Sequence, residues 1–200
     1  YLESIIPLSF IGVIYSVAAL ISFALSIKIG TLLNKWSNRS VLIGVSVLEL
    51  ISLITLSYST SIVLSILSFI IHTVLLSVLF VSLNILVESV SKNEDTGKVR
   101  GAYLTILNLG ILTGPFFASQ IIGSGFAILF TSAALCLVPM IYILYKHLDH
   151  LHEPRYVAPD FIQSFQRLKG LVNVRRIVFT QYILELFWII MIVYAPIYLI

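Results

Sequence analysis

Long runs of apolar residues dominate the chain, and short polar stretches separate them. A helix needs about 20 apolar residues to cross a hydrocarbon core of about 30 Å. Six segments meet this requirement: 5–27, 41–58, 62–87, 102–122, 125–145 and 177–200. The roughly 10-residue alternation typical of a membrane β-barrel is missing, and lone strands leave their backbone unpaired in lipid. The pattern therefore predicts an all-α integral membrane protein, a polytopic helix bundle with six visible spans.

The composition agrees with this pattern and excludes other classes of protein. Hydrophobic residues make up 59% of the 200 residues and charged residues only 10%, and the mean hydropathy is +1.06. A soluble domain carries about a quarter charged residues. A soluble enzyme, a nucleic-acid binder and a disordered region are all excluded.

The basic residues indicate which side of the membrane each connection occupies. The connections 59–61 and 123–124 are short and uncharged, whereas 28–40, 88–101 and 146–176 are longer and hold all 12 basic residues. Lysine and arginine accumulate in cytoplasmic loops. We therefore expect the long loops to be cytoplasmic and the protein to lie in a cell membrane, the bacterial inner membrane. Both ends of the chain then lie outside, so we expect a fragment that lacks at least one upstream span.

The longest loop, 147–176, contains His147, His150 and His152. No cysteine or acidic pattern accompanies them, so we interpret them as solvated loop residues and predict no metal site. Farther along, Phe161, Phe165 and a leucine recur at helical spacing within 160–171. This spacing predicts a short amphipathic helix on the inner membrane surface.

The connection after the first span carries a recognisable pattern. It reads Gly30-Thr-Leu-Leu-Asn34-Lys35-Trp-Ser-Asn-Arg39, and a glycine such as Gly30 favours a tight exit from a helix. The stretch resembles the loop signature of the major facilitator superfamily, G-x-x-x-D-R/K-x-G-R/K-R/K, which lies between helices 2 and 3. Gly30, Lys35 and Arg39 match the signature, while Asn34 replaces its aspartate.

A second pattern lies on the fourth visible span, with Gly110, Gly114 and Ala118 on one stripe where a neighbouring helix can approach closely. Pro115 is predicted to bend this helix. Together with Gly101, these residues resemble the superfamily's fifth-helix antiporter motif, G-x8-G-x3-G-P-x2-G-G, except that alanine and serine replace the closing glycines.

The two patterns agree on how the visible helices are numbered in the superfamily fold. If the loop lies between helices 2 and 3, the glycine pattern lies on helix 5, as the motif requires. The resemblance implies a twelve-helix protein of which helices 2 to 7 are visible. Residues 1–146 would hold helices 2 to 6 of the first half, 147–176 the cytoplasmic loop between the halves, and 177–200 helix 7.

Three ionisable residues, Glu49, His72 and Glu185, lie deep in predicted spans. Such residues are costly in a membrane and commonly belong to proton or substrate pathways. The alternative is that each is neutral and hydrogen-bonded to a neighbour. The resemblance favours His72 and Glu185, because helices 4 and 7 border the central cavity while helix 3 is more peripheral. It also suggests that Glu88 pairs with Arg39 to hold one conformation closed; a solvated Glu88 is the alternative.

The resemblance implies a secondary active transporter that moves a small molecule by alternating access. Protons are the expected coupling ion, and the fifth-helix motif favours efflux by antiport. A nutrient or sugar uptake symporter of the same fold and a non-transporting membrane receptor or scaffold are the alternatives. No G-x4-G-K-S/T loop is present for ATP, no cofactor is expected, and no cluster of catalytic residues indicates an enzyme. The expected partners are the substrate, protons and the lipid bilayer, with a monomer as the expected state.

Overall fold

A computed structural model describes residues 1–91, 96–147, 166 and 170–198. Within these residues the chain is helical and contains no strand, which confirms the predicted all-α bundle. The helices are α1 (Leu2–Ile5), α2 (Leu8–Trp36), α3 (Asn38–Tyr58), α4 (Ile62–Val90), α5 (Thr96–Ile121), a 3₁₀ turn (Ile122–Ser124), α6 (Phe126–His147) and α7 (Val172–Tyr198). The chain forms two compact units, Tyr1–Ala158 and Pro159–Ile200.

Five helices, α2 to α6, are long and apolar enough to cross a membrane. The sixth predicted span coincides with most of α7, a helix of 27 residues in the second unit. Of the predicted amphipathic helix 160–171, only positions 166, 170 and 171 are among the described residues. His150 and His152 of the predicted loop 147–176 also lie outside them, while His147 ends α6.

The first span does not start where its apolar run starts. Ile6 is extended, with φ −142° and ψ 154°, and α2 begins only after Pro7. Proline disfavours helical geometry in the residue before it, which explains the break. The predicted span began at residue 5 because hydrophobicity alone does not account for the effect of proline on the backbone.

The loop predicted at 28–40 is almost entirely helical, so Gly30 does not end a helix as expected. α2 continues for six residues beyond Gly30, and Leu33 of this extension is buried in a cluster with Val41 and Val78. Burial of such side chains stabilises the extra turns. Similarly, α5 begins at Thr96 rather than at 102, so Gly101 lies inside it.

The turn between α2 and α3 falls on one residue, Ser37, at φ 59° and ψ 152°. This backbone region is used almost only by glycine and costs about 1–3 kcal/mol in other residues. The signature that the loop resembles has its second glycine at this position. Ser37 also caps α3, since its Oγ accepts a hydrogen bond of 3.3 Å from the backbone N–H of Ser40.

Ser37→Gly is expected to stabilise the protein by about 1 kcal/mol, because glycine removes the strain and replaces a serine cap at a cost of a few tenths. Ser37→Ala should destabilise it by about 1 kcal/mol, since it keeps the strain and loses the cap. Thermal unfolding of the purified full-length protein measures both. A lower melting temperature for Ser37→Gly than for the unsubstituted protein contradicts the interpretation.

In the first unit, α3 packs between α4 and α6, and α2 packs against α4. Toward the α2–α3 turn, Leu42, Leu79 and Leu144 join α3, α4 and α6 in one buried cluster. Toward the opposite end of α3, Leu53 and Leu56 pack with Ala134 of α6. The middle of α3 lies between these apolar clusters, and its interface with α4 there is polar.

Candidate functional site

One face of α3 carries buried polar residues at intervals of three or four positions. Ser46, Glu49 and Ser52 are each at most 5% exposed. Residues at this spacing share one face of a helix, and here that face is turned into the bundle. Glu49 is near the middle of the 21-residue helix, about 16 Å along the axis from its first residue and about 14 Å from its last. A carboxylate is therefore enclosed at mid-membrane depth.

The partner helix α4 runs antiparallel to α3, and polar contacts join the two at three levels. At one end Asn38 Nδ2 donates to the Ser82 carbonyl at 3.0 Å. Nearer the other end Ser52 Oγ donates to the Ser68 carbonyl at 2.8 Å. Each step forward along α3 is matched by an equal step back along α4, so this register places His72 beside Glu49.

Glu49 and His72 are in direct contact, through Glu49 Oε1 and His72 Nδ1. The glutamate side chain is 1% exposed and the histidine side chain 21% exposed. The second carboxylate oxygen, Oε2, is buried and has no hydrogen-bond partner among the described residues. A single proton shared by the two groups leaves the pair neutral overall, whereas its loss or a second proton leaves a net charge in a low-dielectric interior.

Aromatic rings line the histidine side of the pair. The Phe69 ring, one turn along α4, has its centroid 6.2 Å from that of His72. Phe69 in turn meets Tyr15 of α2 edge to face, with centroids 5.4 Å apart. Three helices thus contribute to the surroundings of the pair, while only the imidazole reaches the surface of the bundle.

Glu185, the third ionisable candidate, belongs to the second unit. Its side chain is exposed on α7, and Oε1 accepts a hydrogen bond of 2.8 Å from Gln181 Nε2 one turn earlier. The structure therefore brings Glu49 and His72 together and describes Glu185 separately from them.

Arg39, at the start of α3, contacts the end of α6. Its Nε donates to the Leu144 carbonyl at 3.2 Å, and its Nη2 donates to the Tyr145 carbonyl. Carbonyls at a helix C-terminus carry partial negative charge and attract cations. Glu88 is exposed at the end of α4, and the described residues show no ion pair between it and Arg39. That pairing stays a prediction. Asn34 and Lys35 are exposed.

The glycine pattern of α5 lies on an exposed helix. Gly101, Gly110, Gly114 and Ala118 are all solvent-exposed or partly so, and a Cβ built at any of the three glycines meets no atom within 4 Å. The helix continues through Pro115. No helix among the described residues lies close against the stripe, so its role in close packing stays a prediction.

The serines and Asn38 were not among the residues singled out from the sequence. Their signal is the spacing that Ser46 and Ser52 share with Glu49, which marks one polar face on an otherwise apolar helix. The facing positions on α4, Ser65, Ser68 and His72, have the same helical spacing, but apolar residues surround them on every side of that helix.

Comparison with known proteins gives one match. Residues 2–200 match the family model described as Major Facilitator Superfamily. Neither the curated proteins nor the solved structures include a match to the chain. The matched range includes the α2–α3 turn, the glycine pattern of α5 and the Glu49–His72 pair.

Proposed function

Because the chain belongs to the major facilitator superfamily, and is therefore a membrane transporter, we propose that it moves a small molecule by proton-coupled secondary active transport. Efflux by antiport is the proposed direction, and the long basic connections are proposed to face the cytoplasm. In such a transporter two halves rock about a central site and expose it alternately to each side. The Glu49–His72 pair carries the proposal of proton coupling.

The pair has the properties that a proton carrier needs. A carboxyl group and an imidazole can each exist with or without an additional proton. They lie at mid-membrane depth, where an ionisable side chain is costly to keep. Of the two, only His72 reaches the surface of the bundle, at 21% against 1% for Glu49. Protons therefore enter and leave through the imidazole, and Glu49 shares the proton with it inside the bundle.

A change in the charge of the pair favours one arrangement of α3 and α4 over another. With one proton the pair is neutral overall, so its burial between the two helices carries no penalty for a net charge. With one proton more or fewer it carries a net charge, and a conformation that admits water becomes more favourable. Such a difference in stability between two conformations is what couples proton movement to alternating access.

The direction of transport rests on α5. Its Gly101, Gly110, Gly114 and Pro115 keep the spacing of the antiporter motif, and the stripe is open for a helix that the described residues do not include. Ala118 is also small enough for close helix contact. These residues support antiport over symport.

Reconstitution of the full-length protein tests coupling and direction together. Ethidium serves as the first amphipathic probe, followed by neutral and anionic dyes, in liposomes whose internal pH is set independently of the external pH. An antiporter fills acidic vesicles with dye, and the uptake stops when an ionophore collapses the gradient. Dye uptake into vesicles with an alkaline interior would indicate symport. Transport at the same rate with and without the gradient would contradict proton coupling.

A further inference from the structure

The exposed side of α6 combines an apolar stripe with a polar head at one end. Ile128, Leu135, Val138 and Tyr142 are exposed large side chains, and at about 100° per residue they fall within a quarter of the helix circumference. Lys146 continues the same stripe one turn beyond Tyr142. The buried Leu144 lies on the opposite face, against α3 and α4, and the buried Ala134 lies at the edge of the stripe, about 40° from Val138, against α3.

At the polar end, Lys146 and Tyr142 form one hydrogen-bonding group. The Lys146 ammonium donates to the Tyr142 hydroxyl at 2.9 Å and lies 5.4 Å from the centre of its ring. An ammonium has three N–H donors and a phenol has one O–H donor. After their mutual bond, the two groups still present several donors and a positive charge at the edge of the stripe.

The positive charge at this end of α6 is reinforced from α3. The Arg39 guanidinium binds the Leu144 and Tyr145 carbonyls, and its central carbon lies 6.0 Å from the Tyr145 ring centre. It neutralises the partial negative charge of the helix end, which would otherwise repel an anion approaching Lys146. The end of α6 therefore favours negatively charged ligands.

We propose that the α6 stripe with Lys146 and Tyr142 is a binding site for an anionic phospholipid. The acyl chain lies along Ile128, Leu135 and Val138, and the phosphate accepts hydrogen bonds from the ammonium and the phenol. An apolar track of about 20 Å that ends in paired donors matches the shape and charge of a lipid. A soluble anion has no acyl chain that could lie along the apolar track. A helix from another protein has no phosphate that could bind at the cationic end.

Native mass spectrometry of the full-length protein in detergent tests the site. Phosphatidylglycerol and phosphatidylcholine with the same acyl chains are titrated separately. The anionic lipid is expected to bind more tightly, and Lys146→Gln should weaken its binding about fivefold, the ratio for one lysine near an anionic surface. Lys146→Arg should retain most of the affinity. Lys28→Gln, at an exposed lysine of α2, is the matched control and should change nothing.

Two competition experiments distinguish a lipid ligand from a soluble anion. Phosphatidylglycerol with six-carbon chains and inorganic phosphate should both compete poorly, because neither fills the apolar track. Equal competition by either one would overturn the lipid assignment, as would equal effects of Lys146→Gln and Lys28→Gln. Phosphatidylcholine affinity should be the same for all variants. This test requires no transport substrate, so its outcome is independent of the proposed transport function.

Discussion

Glutamine in place of Glu49 is expected to leave the full-length protein folded but unable to use a proton gradient. The amide has almost the shape of the carboxylate and can accept a hydrogen bond from the His72 imidazole, which the structure places against Oε1. It cannot take up a proton. At one-to-one coupling, a gradient of one pH unit supports about a tenfold substrate gradient, or about 1.4 kcal/mol. The variant should reach equal concentrations on the two sides.

The measurement is accumulation of the transported dye in liposomes with an acidic interior, accompanied by exchange between labelled and unlabelled dye at equal pH. Glu49→Gln should lose accumulation and keep exchange, because exchange requires substrate binding and alternating access without net proton movement. The matched control is Glu3→Gln, which removes an exposed carboxylate from α1 and should retain both activities. Full accumulation by Glu49→Gln would exclude the pair as the coupling site.

Glu185→Gln forms a third arm of this experiment. The sequence alone ranks Glu185 above Glu49, because the resemblance places helix 7 at the central cavity. In the structure Glu185 is exposed and bonded to Gln181 of its own helix. Loss of dye binding in Glu185→Gln, with coupling intact in whatever transport remains, would assign substrate recognition to α7 and proton coupling to the pair.

The positions of the helices were largely predictable from the sequence, because a long apolar run in lipid has few alternatives to a helix. The ends of the helices were less predictable. α2 extends to Trp36 since Leu33 is buried against α3 and α4, and such a contact depends on the neighbouring helices. The turn at Ser37 was likewise hidden, because serine is seldom found at a positive φ.

The pairing of Glu49 with His72 was beyond sequence reasoning for a related reason. Both residues were identified by their depth, but depth does not say how each helix is rotated about its axis. The polar face of α3 indicates its rotation, whereas the shorter polar run Ser65, Ser68 and His72 on α4 is surrounded by apolar residues on every side of that helix. Helix 3 was expected to be the more peripheral one. That expectation stays a prediction, and among the described residues Glu49 is the most enclosed of the three ionisable candidates, at 1% exposed.

Removal of one member of the pair is expected to destabilise the protein more than any other substitution considered above. Loss of one partner of a buried ion pair costs about 3–5 kcal/mol, because it leaves the other charge uncompensated. The two single variants should not be equal. His72→Ala leaves a carboxyl side chain that is 1% exposed, whereas Glu49→Ala leaves an imidazole that is 21% exposed and closer to solvent. His72→Ala should therefore cost more.

A double-mutant cycle separates the pair from the general packing of α3 on α4. His72→Ala with Glu49→Gln should recover part of the loss, because the amide is neutral, and the coupling should be about 1–3 kcal/mol. Ser52→Ala is the matched control: it removes the hydrogen bond to the Ser68 carbonyl in the same interface and should cost about 1 kcal/mol. Unfolding of the full-length protein in mixed micelles measures His72→Ala, Glu49→Gln, the double variant and Ser52→Ala. If His72→Ala costs no more than Ser52→Ala, the two groups are independently neutral, and a charge shared between α3 and α4 cannot drive the conformational change.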